Sequence, residues 1–459
     1  MNTLTAQWIA EAVGGVLAAD ADTAVTSVHL DTRQMRPGGL YVARVGENAD
    51  GHDYVEAATA AGAVLHLVER PVDAPHVRVE NTTLALGALA RAYLRQLRAH
   101  GDITVVGITG SNGKTTTKDL LAQMLPDAVA PEGSFNNETG LPLTVLRADD
   151  STRHLVLEMG ASQPGDLAYL TDIAPLDVAV VLTVGTAHAQ FYPTPADLAV
   201  EKASILDGLV PGGVAVLAVD DARVAAMRER VRPDARVLTC GLAPHADVRA
   251  AGLDLDAGRP RFTVTVGDAH ADVAMRLLGE HHVTNGLAAL TVALACGQDL
   301  ESAAASLSAA VPLSAHRMAL TVRADGVRVL DDSYNASPES MRAALRALLE
   351  VAQGGPTWAV IGEMREMGDA SWQAHADIGH DVVRLNISRL VVVGEGARPA
   401  FDSAVREGSW GQEAIYVATI GEARDLLDAQ LAPGDTVLVK ASHGSHLWQV
   451  ADHLVEGRA

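Results

Sequence analysis

The sequence predicts an α/β protein of three domains: a small α/β N-terminal domain (1–82), a central domain on a doubly wound, mostly parallel sheet (83–313), and a C-terminal α/β domain (314–459). Three observations carry this reading. The chain has 459 residues, more than one hydrophobic core organises. Short Val/Ile/Leu runs alternate with helical patterns from residue 84 onward. Aromatic residues are 3% of a chain that is 48% hydrophobic, so its cores must be built from Ala, Leu and Val, which suits buried parallel strands.

The first segment reads as strands at 25–28 and 39–43 and a helix over 54–61. Its loops gather Asp31, Thr32 and Arg33, then Gly46, then His52. Such a set suits a phosphorylated ligand, and equally a solvated surface.

The second segment opens with a helix over 84–100, followed by apolar strands at 103–106, 155–157, 177–182 and 213–217. Alternating strands and helices predict parallel pairing, with ligands collected beyond the carboxyl ends of the strands. The first of those ends carries Gly107-Ile108-Thr109-Gly110-Ser111-Asn112-Gly113-Lys114-Thr115-Thr116, ahead of a helix over 118–124. Glycines at 107, 110 and 113 let the backbone approach a polyphosphate and turn loop N–H groups inward, those of Ser111, Asn112 and Thr116 among them. Lys114 adds a point charge near the β/γ-phosphates, and the Thr115 hydroxyl suits Mg²⁺. The spacing G-x-x-G-x-x-G-K-T-T varies the common phosphate loop and makes this domain P-loop ATPase-like.

Further candidates sit at the neighbouring strand ends. Glu158 closes the 155–157 strand, where a carboxylate can hold Mg²⁺ together with Thr115. His188 follows the next buried strand, either as a ligand or as a structural histidine. Lys202 lies in the polar stripe of a helix over 195–209 and taken alone reads as solvated. Asn136 and Asn137 precede Gly140, where side-chain amides read a base or phosphate, or cap the next helix.

The third segment repeats the alternation, with strands at 327–330, 357–361, 389–393, 414–417 and 436–439, and so reads as Rossmann-like. No G-x-G-x-x-G stands at a strand end. The 332–338 loop follows the first of these strands and supplies Asp332, Tyr334 and Asn335 within four positions.

A formal charge of −22 argues against nucleic-acid binding, so an anionic substrate must be held by local cations and N–H groups. Cys240 and Cys296 lack metal or redox spacing. No basic, apolar leader opens the chain, and no run approaches the roughly 18 apolar residues of a membrane span. A cytoplasmic protein, monomeric, without membrane or nucleic-acid partners, is expected.

Taken in order, G-I-T-G-S-N-G-K-T-T-T-K, F-N-N-E-T-G-L-P-L-T, E-M-G-A, T-A-H, E-K-A-S-I-L, H-R-M, D-D-S-Y-N-A-S-P-E-S-M and V-L-V-K resemble the Mur ligase family of peptidoglycan synthesis, from Asp31 to Lys440. The 331–341 block and N-N-E-T-G-L-P-L-T are most similar to the member that joins D-Ala-D-Ala to UDP-N-acetylmuramoyl-tripeptide. The resemblance implies ATP and Mg²⁺, two ions, as cofactors, with those two molecules as substrates. It implies a catalytic set of Lys114, Lys202 and His188. Glu158 and His188 match metal ligands beside Thr115, and Lys202 matches a lysine that CO₂ carbamylates into an anionic ligand. Asn137, Asn285, Arg317 and Asp332 match nucleotide contacts. Asp31, Thr32, Arg33, Gly46 and His52 match the UDP-binding region.

Three departures stand out. Thr183 replaces the usual Asn, His281-His282 replaces His-Asn, and the 441–446 run replaces Gly-Ser-Arg followed by Met-Glu. The implied chemistry is amide formation through an acyl phosphate, with Tyr334 and Asn335 on the acceptor's peptide group and a nearby cation, such as Lys440 or a histidine of the 443–446 loop, on its carboxylate. A folylpolyglutamate-type ligase is the rival with another acceptor, disfavoured by the well-developed N-terminal domain. A catalytically silent nucleotide-binding relative is disfavoured by the intact Lys114, Thr115, Glu158, His188 and Lys202.

Overall fold

The computed structural model describes residues 1–46, 49–185, 191–192, 194–408 and 413–456. Among them, the first sheet runs Val16–Ala18, His76–Arg78, Ala63–Val68, Gly39–Val42, Ser27–His29, parallel except for the first pair. The strand expected at 25–28 is divided. Ala24–Val25 pairs with Leu4–Thr5, Thr26 turns the corner by donating its N–H to Gly38, and Ser27–His29 joins the larger sheet.

The central sheet is ordered Ala269–Ala274, Arg259–Val266, Val248–Asp256, Arg236–Gly241, Leu209–Ala218, Leu176–Val181, Thr104–Thr109, His154–Glu158, Ala128–Val129. The strands are parallel from the last of these back to Val248–Asp256, as expected. The other two extend it as antiparallel hairpins. The expected parallel rhythm omitted these hairpins because they alternate buried and exposed residues instead of forming solid apolar runs. The expected 195–209 helix stops at Ala203; Ser204–Gly208 is a 3₁₀ turn, and Leu209 enters the sheet opposite Leu176.

Side chains alternate between the two faces of this sheet, and each face meets its own helices. Val105, Leu155 and Leu157 pack with Leu86, Leu89 and Leu94 of the helix Thr82–His100. Val106, Ile108 and Val156 pack with Leu120 and Leu121 and with Leu287 and Leu290 of the helix His282–Ala295. Each such side chain contributes about 1.5–3 kcal/mol on leaving water. Strand order reverses at Thr104–Thr109: later strands lie on both sides, His154–Glu158 on one and Leu176–Val181 on the other. A crevice opens at such a switch point, beyond the carboxyl ends.

The third sheet is Ala319–Val322, Arg328–Asp331, Thr436–Lys440, Thr357–Ile361, Arg389–Val393, Ala414–Val417, parallel but for its first pair. The connection into it is fastened to the helix behind the phosphate loop. Asp119 accepts from the Ser314 N–H at 3.1 Å, and the Gln123 amide exchanges two bonds with the Val311 backbone. The carboxyl edges of the second and third sheets therefore face one cleft.

Candidate active site

The loop at 110–113 joins Thr104–Thr109 to the helix Lys114–Met124. Gly113 has φ +88°, and a Cβ there would stand 2.2 Å from Asn285 Oδ1, so both backbone and space require glycine. Gly110 lies against Leu182, with 2.9 Å to a Cβ built on it. Gly107 corrects the expectation: it lies inside the strand, where a Cβ would meet Leu176 at 2.6 Å, and serves packing instead of the loop.

The segment after Leu176–Val181 shapes the loop. Ser111 N–H donates to the Thr183 carbonyl at 2.8 Å, Asn112 N–H donates to Thr183 Oγ1 at 3.3 Å, and Gly185 N–H donates to Ser111 Oγ at 2.8 Å. Thr183, one of the departures, thus keeps a polar acceptor on the loop. The third domain touches it too, through Ser337 Oγ donating to Asn112 Oδ1 at 3.4 Å.

Beyond the loop lies a cleft of about 220 Å³ lined by Lys114, Thr115 and Thr116, Glu158, Asn285, Arg317, Asp332 and Asn335. Lys114 Nζ donates to the Gly110 carbonyl at 2.7 Å; burial and the Arg317 charge lower its pKa, while Glu158 opposes them. Thr115 Oγ1 donates to Glu158 Oε2 at 2.9 Å, and Asn136 Nδ2 donates to Glu158 Oε1 at 2.8 Å. Arg317 Nη2 donates to Thr115 Oγ1 and Ser134 Oγ, each at 3.1 Å, and its guanidinium lies 4.2 Å over the Tyr334 ring. His316 and Met318 on either side of Arg317 both hold positive φ, +59° and +51°, an uncommon conformation that fixes the direction of the arginine.

Lys202 is buried, and burial followed by the Lys114 charge holds its amine well below the usual lysine range. His188 lies outside the described residues. Asn137 takes the capping role: its Oδ1 accepts from the Thr139 and Gly140 N–H groups at the start of the helix Gly140–Val145, and it does not line the cleft. The neighbouring Asn136, the other amide of the pair, enters the cleft together with His282 and with Ser134, which the motif reading did not assign. Nothing periodic in that loop tells which of two adjacent amides turns inward.

Asp332 and Lys440 form a buried ion pair at 2.5 Å, and Lys440 Nζ also donates to the Asn335 carbonyl at 2.8 Å. Burial lowers the Lys440 pKa and the Asp332 charge counteracts this. Lys440 lines the cleft, with its charge paired to Asp332 and its ammonium holding the Asn335 loop. Asn335 itself is exposed and Tyr334 half-buried.

In the first domain Asp31, Thr32 and Arg33 share one turn, Asp31 capping it and pairing with Arg33 at 2.6 Å. Gly46 donates its N–H to Ala49. His52 turns inward: Nδ1 bonds Asp50 at 2.6 Å and Nε2 accepts from the Glu69 N–H at 2.9 Å. Both ring nitrogens are used within the domain, so His52 braces the loop, which corrects its expected ligand contact. None of these residues lines the cleft at the phosphate loop.

Family models match along the chain: "Mur ligase family, catalytic domain" over residues 24–94, "Mur ligase middle domain" over 108–293, and "Mur ligase, glutamate ligase domain" over 316–443. The UDP-N-acetylmuramoyl-tripeptide–D-alanyl-D-alanine ligase of Mycobacterium tuberculosis is 44% identical, over 99% of this chain and 98% of its own length. The ligase of that name from Bacillus subtilis is 32% identical over 98% of each. A crystal structure of MurF from Acinetobacter baumannii superposes with TM-score 0.88 at 30% identity, over 99% of both chains. MurF from Thermotoga maritima, solved in complex with ADP, superposes with TM-score 0.80 at 29% identity, over 95% of this chain and 99% of its own. The chain belongs to the Mur ligase family.

Proposed function

We propose that this chain joins D-Ala-D-Ala to the terminal carboxylate of a UDP-N-acetylmuramoyl-tripeptide, consuming ATP in peptidoglycan precursor synthesis. One observation carries the reading above the others: the phosphate loop, the Glu158 carboxylate and the Arg317–Tyr334–Asn335 group of the third domain line one cleft. ATP-driven transfer to an acceptor requires those parts together. A silent relative would have no use for the Lys114, Thr115 and Glu158 set. The names of the full-length relatives point to the same substrates.

The domains 1–82, 83–313 and 314–459 divide the work in this account. The turn at Asp31, Thr32 and Arg33, with Gly46, serves the UDP moiety, and the other two domains hold ATP and the acceptor. The peptide carboxylate oxygen attacks the γ-phosphorus and ADP leaves, giving an acyl phosphate. The acceptor amine then attacks the acyl carbon; a C–N bond forms, the C–O bond to phosphate breaks, and the amine proton leaves to the phosphate. Lys114, the helix N-terminus behind it and Arg317 supply charge where the γ-phosphoryl oxygens gather negative charge. Asn285 and Arg317 orient the nucleotide, and Asp332 positions the loop that carries Tyr334 and Asn335.

The hard oxygen donors of Glu158 and Thr115 fit Mg²⁺, and the resemblance adds His188 and a carbamylated Lys202 for a two-ion site. Mg²⁺ there would neutralise the phosphate oxygens. Support for the carbamate is the burial of the Lys202 side chain, which favours the neutral amine over the ammonium, the form that can add CO₂ being the neutral one. We take the protein to be a cytoplasmic monomer; no helix among the described residues is long and apolar enough to cross a membrane.

The test is phosphate release from ATP with purified UDP-linked tripeptide, with and without D-Ala-D-Ala. Release that requires both is expected. Release with a single amino acid in place of the dipeptide would instead favour the rival ligase.

A further inference from the structure

With Lys440 committed to Asp332, the acceptor's carboxylate needs another cation. Next to the nucleotide cleft lies a second cavity of about 330 Å³, and Asn335 lines both. Its wall is made by three loops, carrying Asn335, Arg365 and Glu366, and Ser442 to Gly444. A dipeptide as small as D-Ala-D-Ala fits a space of that size.

Arg365 is the cation in that wall. Its backbone N–H donates to Ser442 Oγ at 3.0 Å, which anchors it to the 442–444 loop. Its Nε donates to Glu363 at 3.2 Å, and its side chain is about half exposed. A Cβ on Gly444 would stand 2.4 Å from Arg365 Nη1. Gly444 does not have a positive φ, so the restriction there is one of room: an added methyl would push the guanidinium aside. This contact falls inside the 441–446 run, where the chain departs from the usual Gly-Ser-Arg.

We propose that Arg365 is a specificity-determining residue that receives the acceptor's terminal carboxylate on its Nη edge, with Gly444 providing the space for it. Asn335, at the junction of the two cavities, faces the acceptor's peptide group, and the amine points toward the nucleotide cleft. Glu363 on Nε and Glu366 in the wall balance part of the arginine charge, so the site suits a zwitterion in preference to a dianion. The assignment rests on the acceptor being D-Ala-D-Ala.

The experiment compares D-Ala-D-Ala with D-alanyl-D-alaninamide, which lacks the carboxylate, as acceptors for the parent protein, Arg365→Ala and Gly444→Ala. The parent should show a KM at least tenfold lower for the acid than for the amide. Arg365→Ala should raise the KM for the acid about tenfold, bring the two acceptors together, and leave the KM for ATP within twofold. Gly444→Ala should move in the same direction, because its methyl displaces the guanidinium. If Arg365→Ala keeps the parent's preference for the acid, the assignment is overturned. A parent that consumes neither acceptor overturns the reading of the reaction instead.

Discussion

Gly113→Ala adds one methyl group to the phosphate loop. Its cost has two parts. A non-glycine residue at φ +88° is strained by about 1–2 kcal/mol. The new Cβ would also lie 2.2 Å from Asn285 Oδ1, so Asn285 must withdraw and lose its 3.1 Å bond to His282, about 1 kcal/mol more. The loop either keeps its shape and the protein loses about 2–3 kcal/mol of stability, or it relaxes and that energy is lost from nucleotide binding. In the second case ADP affinity falls about 30- to 150-fold. Calorimetric titration with ADP and thermal unfolding of the same samples measure both routes. Gly252→Ala is the control: φ is also positive, at +62°, but nothing lies within 4 Å of the added carbon. If Gly113→Ala matches the control in both ADP affinity and melting temperature, the close packing of Asn285 on the loop is not what shapes it.

Three further outcomes follow from the same geometry. Lys114→Ala should lower kcat about 10²–10³-fold with little change in melting temperature, because its charge acts where transition-state charge gathers; turnover within tenfold of the parent would contradict this. Lys202→Ala should be nearly inactive and partly rescued by short carboxylic acids, which fill the anionic position. Lys202→Met should also be inactive yet no less stable. In CO₂-free buffer without metal, where Lys202 is a free amine, its folded pKa is depressed, so the unfolded chain binds the extra proton and the parent's stability falls as pH drops below the unfolded lysine value; melting against pH from 7 to 10 should there be flatter in the methionine variant. Asp332→Asn strands the buried Lys440 charge and should cost about 3–5 kcal/mol in urea unfolding, whereas the double variant with Lys440→Met should recover most of it.

The phosphate loop and the Glu158 strand end were legible because each is local: glycine spacing, a lysine and a carboxylate at the end of an apolar run. The parallel core was legible for the same reason, in solid Val/Ile/Leu runs. The failures were long-range. Gly107 reads as a loop glycine until Leu176 from another strand is seen against it, and His52 reads as a ligand until Asp50 and the Glu69 amide take both its nitrogens. Lys440 reads as an open cation because its partner Asp332 lies 108 positions away in the chain. Arg365 gave no signal at all, since its contact with Gly444 exists only where two loops of the third sheet meet.

The central claim is amide formation through an acyl phosphate, and isotope transfer tests it most directly. The UDP-linked tripeptide is prepared with ¹⁸O in its terminal carboxylate and turned over with ATP and D-Ala-D-Ala, and the released phosphate is weighed by mass spectrometry. One ¹⁸O in each phosphate, appearing in step with the pentapeptide product, is the predicted result. Phosphate free of ¹⁸O, or released without product, would contradict it.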